Sequence, residues 1–149
     1  MERILISKCL VGEKVRYDGD HCKIPTQHLN ELKKQFELIE LCPEVYAGMT
    51  IPRNPIERVG ARVLDQSGSD YTSQFNLVKK HLDELILTHK FTKAILKEFS
   101  PSCGSKKIYD GTFSGNIIDG QGIITEYLRS KEVRVFSEKE LSELLNTST

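Results

Sequence analysis

The chain has 149 residues, its 21 Lys and Arg residues balance its 21 Asp and Glu residues, and its hydrophobic and charged fractions are 38% and 28%. This length and composition are typical of one globular domain that buries a sizeable core without disulfides or a structural metal. A net charge of zero gives no global sign of a nucleic-acid partner or an anionic membrane surface, and we expect neither.

The first half of the chain alternates apolar runs with a helical pattern. Its predicted elements are a buried strand at residues 3–7, a helix at residues 25–36, a second strand at residues 36–42 and a Pro- and Gly-rich loop at residues 48–60. Within the helix, apolar residues recur at helical spacing, and Thr26 is its predicted N-terminal cap.

The second half begins with the longest periodic segment, residues 69–90, which predicts a helix capped by Ser69 or Asp70. The elements that follow are a strand at residues 91–99, a glycine-rich loop at 111–122, a short helix at 122–131, a strand at 133–136 and a closing helix at 137–146. Ser137 and Glu140 have the spacing of a capping box at the start of the closing helix.

Strands that alternate with helices imply right-handed crossovers and a mainly parallel sheet covered on both faces. The sequence contains no internal repeat and no long linker. We therefore predict an α/β protein with a single Rossmann-like three-layer domain over residues 1–149 and about four or five strands.

The cellular location bears on what the cysteines can do. The N-terminal segment is too short and too charged for a signal peptide, no apolar run is long enough to cross a bilayer, and we expect a cytoplasmic protein. Thiols stay reduced there, so metal binding or catalysis is favoured over disulfides for the four cysteines, with buried free thiols as the plain alternative.

Three cysteines share a position relative to the predicted strands. Cys9, Cys42 and Cys103 each lie at or just beyond the C-terminal end of a strand, whereas Cys22 lies in a polar loop and follows no strand. The carboxyl ends of parallel strands meet at one edge of a sheet, where open α/β folds bind their ligands. We therefore expect these three thiols to face one crevice, and we leave Cys22 out of the set.

The residue types leave several kinds of site open. A three-ligand zinc site could use His21 or His28 as a further imidazole, and an iron–sulfur cluster held by three thiolates would keep one iron open as a Lewis acid. Cys9 and Arg16 also resemble a thiolate phosphatase loop, but six residues separate them instead of five, and that reading leaves Cys42 and Cys103 unexplained.

Polar and aromatic side chains near these cysteines are candidates for acid–base work and substrate contact. Glu44 follows Cys42 by two residues and is a candidate general acid or base, and the Ser100 hydroxyl could bond a substrate. Ser102 is assigned no role beyond the turn. The candidates for a substrate rim with cationic and aromatic groups are Arg16, Tyr17, Arg53 and Tyr109, with pairing of Arg53 to Glu57 as the structural alternative.

Four motifs in order resemble the thiouracil desulfidase family, formerly a domain of unknown function. They are SKCLVGEKVRYDG, LCPEVYAGMTIPR, AILKEFSPSCG and YDGTFSG followed by GQGIITEYLRSKEVRVFSE, and together they cover nearly the whole chain. The Cys22 of DHCK is an addition to the family pattern.

The resemblance implies a [4Fe-4S] cluster held by Cys9, Cys42 and Cys103 with one open iron. It implies a small-molecule substrate, a thiolated nucleobase or nucleoside such as a thiouracil or 4-thiouridine. The open iron would take the sulfur while water replaces it at the ring carbon, without net redox. Glu44 and Ser100 match the family's proton-transfer and substrate-contacting positions.

Two other functions stay open at this point. A non-catalytic iron–sulfur or sulfide carrier would bind the cluster without needing Glu44, and a phosphatase-like enzyme would depend on Cys9 and Arg16 without any metal. The oligomeric state is not indicated by the sequence.

Overall fold

The computed structural model describes residues 1–146. The strands among these residues are β1 (Glu2–Ser7), β2 (Phe36–Leu41), β3 (Ile56–Val59), β4 (Arg62–Asp65), β5 (Lys93–Leu96), β6 (Lys107–Tyr109), β7 (Ile117–Asp119) and β8 (Arg134–Ser137). The helices are α1 (Thr26–Gln35), α2 (Pro43–Tyr46), α3 (Thr72–His89), α4 (Ile123–Ser130) and α5 (Leu141–Asn146). The prediction of one domain over residues 1–149 extends past the described residues and stays a prediction.

A parallel sheet of four strands forms the centre of the fold. Its order is β2-β1-β5-β8, and each neighbouring pair is parallel. These are the four strands predicted from apolar runs, whose length and continuity suit strands buried on both faces. The predicted α/β class and mainly parallel sheet are confirmed.

Side chains alternate between the two faces of the sheet, and each face carries its own core. Leu5 packs in the core that includes residues of α3 and α4, whereas Ile4 and Ile6 pack with residues of α1 and α5. This alternation is the period-two pattern of a strand and accounts for helices on both sides. The predicted three-layer arrangement is therefore confirmed.

Two segments predicted as loops contain strands. Residues 48–60 include β3, which pairs antiparallel with β4, and residues 111–122 include β7, which pairs antiparallel with β6. The prediction was wrong for these stretches because the Pro and Gly residues mark the ends of short hairpin strands, which carry little periodic signal of their own.

The helix caps were predicted with mixed success. Pro25, not Thr26, precedes the first turn of α1, so the predicted cap was wrong. Tyr71 precedes the first turn of α3, so the predicted cap at Ser69 or Asp70 was also wrong. The Asp70 carboxylate, two residues before the helix, still accepts hydrogen bonds from the Thr72 backbone and hydroxyl at 2.8 and 2.5 Å. Ser137 forms the predicted capping box, although a 3-10 turn precedes α5 there.

No helix of residues 1–146 combines the length and apolarity needed to span a membrane.

Candidate active site

A cavity of about 410 Å³ lies at the carboxyl ends of the parallel strands. Its wall includes all nine side chains predicted as site residues, which are Cys9, Arg16, Tyr17, Cys42, Glu44, Arg53, Ser100, Cys103 and Tyr109. The strand order places β1 between β2 and β5, so the segments that carry the three cysteines are neighbours at this edge. The expectation that the three thiols face one crevice is met.

Cys9 and Cys42 directly follow the first two strands. Cys9 lies in a 3-10 turn, Lys8–Val11, that begins as β1 ends, and its side chain is buried. Cys42 follows β2 and precedes α2, where Pro43 occupies the first turn and restricts the backbone. The end of each strand therefore determines where its cysteine lies at the edge of the sheet.

The Cys103 turn is held on the N-terminus of α4. Backbone N–H groups at the start of α4 donate to the carbonyl oxygens of Pro101 and Ser102 at 3.0 and 2.8 Å, and the Thr125 hydroxyl donates to Cys103 O at 2.7 Å. These bonds pair free N–H groups of the helix start with carbonyls that would otherwise be buried without a partner. The helix therefore fixes the backbone on which Cys103 is carried.

Glu98 holds the other side of the same turn. Its buried carboxylate accepts from the Ser105 N–H and hydroxyl at 2.8 and 3.0 Å and from the Lys106 N–H at 3.2 Å. Burial alone would raise the pKa of Glu98, but the backbone donors of Lys106 and Ser105 hold that pKa below its usual range. Glu98 thus stays ionised and ties the residues beyond Cys103 to the end of β5.

Gly122 makes the close approach of α4 to the Cys103 turn sterically possible. A Cβ at this position would lie 2.3 Å from the Ser102 carbonyl carbon and 2.5 Å from the Cys103 nitrogen, both of them backbone atoms. The φ of Gly122 is −68°, a backbone conformation that alanine also adopts. Glycine is therefore required here only because a Cβ would clash with the Cys103 turn.

We expect Gly122→Ala to lower the free energy of unfolding by about 1–3 kcal/mol. Gly120→Ala is the matched control, because its Cβ would meet only the flexible end of Ile108 at 3.2 Å. Urea unfolding of both variants measures the difference. Equal stability of the two would contradict the role given to this contact.

Glu44 is held by an arginine that forms a hydrogen bond from each of its three guanidinium nitrogens. Arg53 Nε donates to Glu44 Oε1 at 3.1 Å, and the other guanidinium nitrogens donate to the carbonyl oxygens of Thr50 at 3.1 Å and Val15 at 2.9 Å. The side chains of Arg53 and Glu44 are only 6% and 16% exposed. Arg53 therefore pairs with Glu44, and the alternative pairing with Glu57 is not formed.

Ser102 is a site residue that the sequence did not indicate. Its hydroxyl lies 2.9 Å from Ser100 Oγ and 3.6 Å from Cys103 Sγ, and it donates to Glu44 Oε2 at 3.4 Å. The assignment of no role to Ser102 overlooked these contacts, because Glu44 is 58 positions away in the chain. The sequence signal for this role was the spacing of Ser100 and Ser102 in SPSC, because two serines separated by one residue place both hydroxyls in one turn.

The rim of the cavity carries the predicted aromatic and cationic groups. Arg16 stacks over the Tyr17 ring at 5.7 Å and approaches Asp18 at 3.9 Å, while Tyr109 lies 6.5 Å from Phe99 between ring centroids. Tyr17 and Tyr109 are 39% and 37% exposed. These rings offer flat apolar surfaces beside a cation at the mouth of the cavity.

Burial sets the protonation of the thiols in the free protein. Burial and the neighbouring thiols, Cys103 first among them, raise the pKa of Cys9 well above its usual range, and burial raises the pKa of Cys103 to about 12. Burial also raises the pKa of Cys42, against the opposing effect of the Val45 N–H. All three are neutral thiols near neutral pH until something replaces their protons.

The other candidate ligands lie away from the cavity wall. Cys22 is half-buried in the core on the α1 side, and its N–H donates to Cys9 O at 2.9 Å. His21 is exposed, with its Nδ1 accepting from the Lys23 N–H at 3.1 Å, and His28 is exposed on α1. Neither histidine is brought to the three thiols.

Comparisons with known proteins agree over nearly the whole chain. A family model described as 2-thiouracil desulfurase matches residues 4–140. The uncharacterized protein YbbK of Bacillus subtilis is 35% identical over 158 aligned residues, covering 95% of this chain and 99% of the relative. A solved structure described as the [4Fe-4S]-dependent thiouracil desulfidase TudS matches with a TM-score of 0.93 and 41% sequence identity. The match covers 99% of this chain and 97% of that chain.

Proposed function

Since the chain belongs to the 2-thiouracil desulfurase family, we propose that it is an iron–sulfur-dependent desulfidase that removes sulfur from thiolated pyrimidines. The observation that carries the proposal is the cavity in which three cysteines and a paired glutamate face the same space. Thiouracils and 4-thiouridine are the proposed substrates. The cytoplasm, where thiols stay reduced, is the proposed location.

The residues present fit a [4Fe-4S] cluster. Cys9, Cys42 and Cys103 line one cavity and would supply three sulfur donors from three adjacent segments, and thiolates are the ligands that such clusters use. Within residues 1–146 no three His, Cys, Asp or Glu side chains meet closely enough to hold a single metal ion. A cluster binds each cysteine at a separate iron, so its ligands need not meet at one point.

When bound through three cysteines, such a cluster supplies an open iron, a soft Lewis acid with affinity for sulfur. The overall change is hydrolytic, because water supplies the oxygen that replaces sulfur at the ring carbon and the sulfur leaves as sulfide. The oxidation state of the carbon does not change, so no external reductant is needed.

The chain's own residues supply orientation and proton transfer. Glu44 is the proposed general base for the attacking water, with Arg53 holding one of its oxygens at 3.1 Å. Ser100 lines the cavity beside it and is the proposed hydroxyl contact to the substrate. Tyr17 and Tyr109 are the proposed stacking surfaces for the pyrimidine ring, and Arg16 is the proposed cation at the mouth.

The thiol environment argues against the phosphatase-like alternative. A nucleophilic cysteine needs a lowered pKa, whereas burial and three neighbouring thiols raise the pKa of Cys9. Raised values suit thiols that lose their protons only when iron binds. The buried Glu44–Arg53 pair in the cavity wall favours an enzyme over a carrier, because a carrier does not need a positioned carboxylate beside its cluster.

Anaerobic reconstitution tests the proposed function. We expect about four irons and four sulfides per chain, as the cluster formula requires. With the loaded protein, the long-wavelength absorbance of 4-thiouracil should decrease as the substrate is converted, and sulfide should be released. A chain that binds no cluster would overturn the proposal, and a loaded chain that leaves every thiopyrimidine intact would favour a carrier.

We expect Arg53→Lys to lower kcat by about 10- to 100-fold while the iron content stays at the wild-type level. Lysine keeps the charge but lacks the planar fork that bonds Glu44, Thr50 and Val15 together, so the carboxylate loses its fixed position. Arg62→Lys is the matched control, since its pair with Asp70 is exposed. Equal rates for the two variants would show that Arg53 does not position Glu44.

A further inference from the structure

Glu57 is a buried acidic residue of the cavity wall that takes no part in the proposed cluster site or in the proposed proton transfer. It lies on β3 and is 8% exposed. The arginines nearest to it in sequence, Arg53 and Arg58, pair with other carboxylates, and no ion pair of Glu57 is found within residues 1–146. A buried carboxylate is costly unless hydrogen-bond donors satisfy its oxygens, so the partners of each oxygen decide what Glu57 does.

One oxygen of Glu57 holds the loop between β6 and β7. Oε1 accepts from the Gly111 N–H at 2.9 Å and from the Phe113 N–H at 3.3 Å. Phe113 has a φ of 57°, in the left-handed region that side chains other than glycine rarely adopt, and it lines the cavity. Oε1 therefore fixes a strained residue in the cavity wall.

The other oxygen of Glu57 is open to the cavity. No hydrogen bond to Oε2 is found within residues 1–146. In this range, the fully enclosed side-chain atoms without a partner are Gln35 Oε1 and His89 Nδ1, and Glu57 Oε2 is not one of them. An oxygen that is neither paired nor enclosed borders open space, and the open space beside Glu57 is the cavity.

Glu57 Oε2 is the carboxylate oxygen that the cavity wall leaves for a ligand. The two oxygens of Glu44 are taken by Arg53 and Ser102, and both oxygens of Glu98 accept from the residues after Cys103. An ionised carboxylate only accepts hydrogen bonds, so its partner must be a donor. A thiouracil carries two ring N–H groups, which are donors of this kind.

We propose that Glu57 is a substrate-binding residue whose Oε2 accepts a hydrogen bond from a ring N–H of the thiolated pyrimidine, an inference that rests on the proposed function. The bond selects for substrates that carry this N–H, because a ring without it leaves a buried carboxylate oxygen unpaired. The competing explanation is that Glu57 only anchors the loop through Oε1.

Glu57→Gln separates the two explanations. The side-chain amide has one carbonyl oxygen and one NH₂ group. The Gly111 and Phe113 N–H groups require the carbonyl oxygen, so the loop anchor is kept and the NH₂ group takes the place of Oε2. A ring N–H then meets a donor in place of an acceptor.

The first measurement is turnover of 4-thiouracil after anaerobic reconstitution. We expect Glu57→Gln to raise KM by about 10- to 100-fold, with kcat within about threefold of the wild type. Iron per chain and the urea midpoint should stay at their wild-type values. Glu143→Gln on the exposed face of α5 is the matched control, because it removes the same charge outside the cavity wall.

The second measurement is binding of uracil to the loaded protein by calorimetry, which needs no turnover. Its 1-deaza and 3-deaza analogues replace one ring N–H by a C–H of similar size. The wild type should bind uracil about 10- to 100-fold more tightly than one of these analogues. Glu57→Gln should bind uracil and that analogue within about threefold of each other, since the acceptor is gone.

Other results overturn the role of Glu57. A wild-type KM for Glu57→Gln, a fall in its iron per chain, or equal binding of uracil and both analogues by the wild type would each do so. If the urea midpoint of Glu57→Gln falls, the wild-type binding comparison alone decides. A wild-type protein that leaves 4-thiouracil intact would overturn the proposed function itself, whereas an active wild type with an unaffected Glu57→Gln would overturn the substrate contact alone.

Discussion

Cys103→Ala is expected to abolish both iron binding and desulfidation. Cys103 is 4% exposed, and its turn is fixed by α4 on one side and by Glu98 on the other. Loss of one of the three proposed thiolate donors would leave two, too few to hold the proposed cluster on the protein. Iron and sulfide analysis after anaerobic reconstitution, together with the visible absorbance of the cluster, measures the loss.

The fourth cysteine of the chain supplies the control. Cys22 lies close to Cys9 but outside the cavity wall, in the core on the α1 side. We expect Cys22→Ala to keep the cluster and the wild-type rate, because its thiol is not among the three proposed donors. A Cys103→Ala protein that retains four irons, or a Cys22→Ala protein that loses them, would refute the proposed ligand set.

Glu44→Ala is expected to spare the cluster and to lower kcat by about 10²- to 10⁴-fold, the usual range for loss of a positioned general base. Glu44 lines the cavity, and its two oxygens are held by Arg53 and Ser102 at 3.1 and 3.4 Å. Alanine removes the proposed proton acceptor while leaving the three thiols in place. Single-turnover kinetics with iron-normalised protein measures the effect.

A glutamate on the neighbouring strand provides the comparison for Glu44. Glu40 is exposed near the end of β2 and lies outside the cavity wall, so Glu40→Ala should keep the wild-type rate. A Glu44→Ala protein with full iron content and the wild-type rate would remove the acid–base role. A variant that loses iron would instead make Glu44 part of the cluster's support.

The two substitutions separate binding from chemistry. Cys103→Ala tests whether the cavity holds the cluster, and Glu44→Ala tests whether the loaded cavity acts on a substrate. A carrier predicts iron loss in the first and no effect in the second. The proposed desulfidase predicts losses in both, with iron content distinguishing their causes.

The sequence by itself determined the central sheet and the positions of the three cysteines. Apolar runs long enough for buried strands are a local signal, and alternation with helices leaves a parallel sheet as the arrangement that covers both faces. Since the carboxyl ends of parallel strands share one edge, the placement of Cys9, Cys42 and Cys103 after their strands was sufficient to bring them to one cavity.

Short hairpins gave a weaker signal. The segments that form β3 and β7 are 4 and 3 residues long, too short for a period of two to be recognised. Their strands are stabilised by pairing with β4 and β6, which is a tertiary outcome. The Gly and Pro residues around these strands are evident in the sequence, but such residues occur equally in loops and so did not distinguish a hairpin from a loop.

Only the tertiary structure decided the partners within the site. Arg53 had Glu57 as a nearby candidate in sequence, yet the turn after Cys42 brings Glu44 to its guanidinium and leaves Glu57 to accept from the Gly111 N–H at 2.9 Å. Ser102 was one of two serines beside a proline, and its link to Glu44 spans 58 positions. The periodicity of apolar residues in the sequence indicates the type of an element and where a strand ends. The hydrogen bonds of Arg53 and Ser102 depend instead on how separate elements pack against one another, which no local pattern indicates.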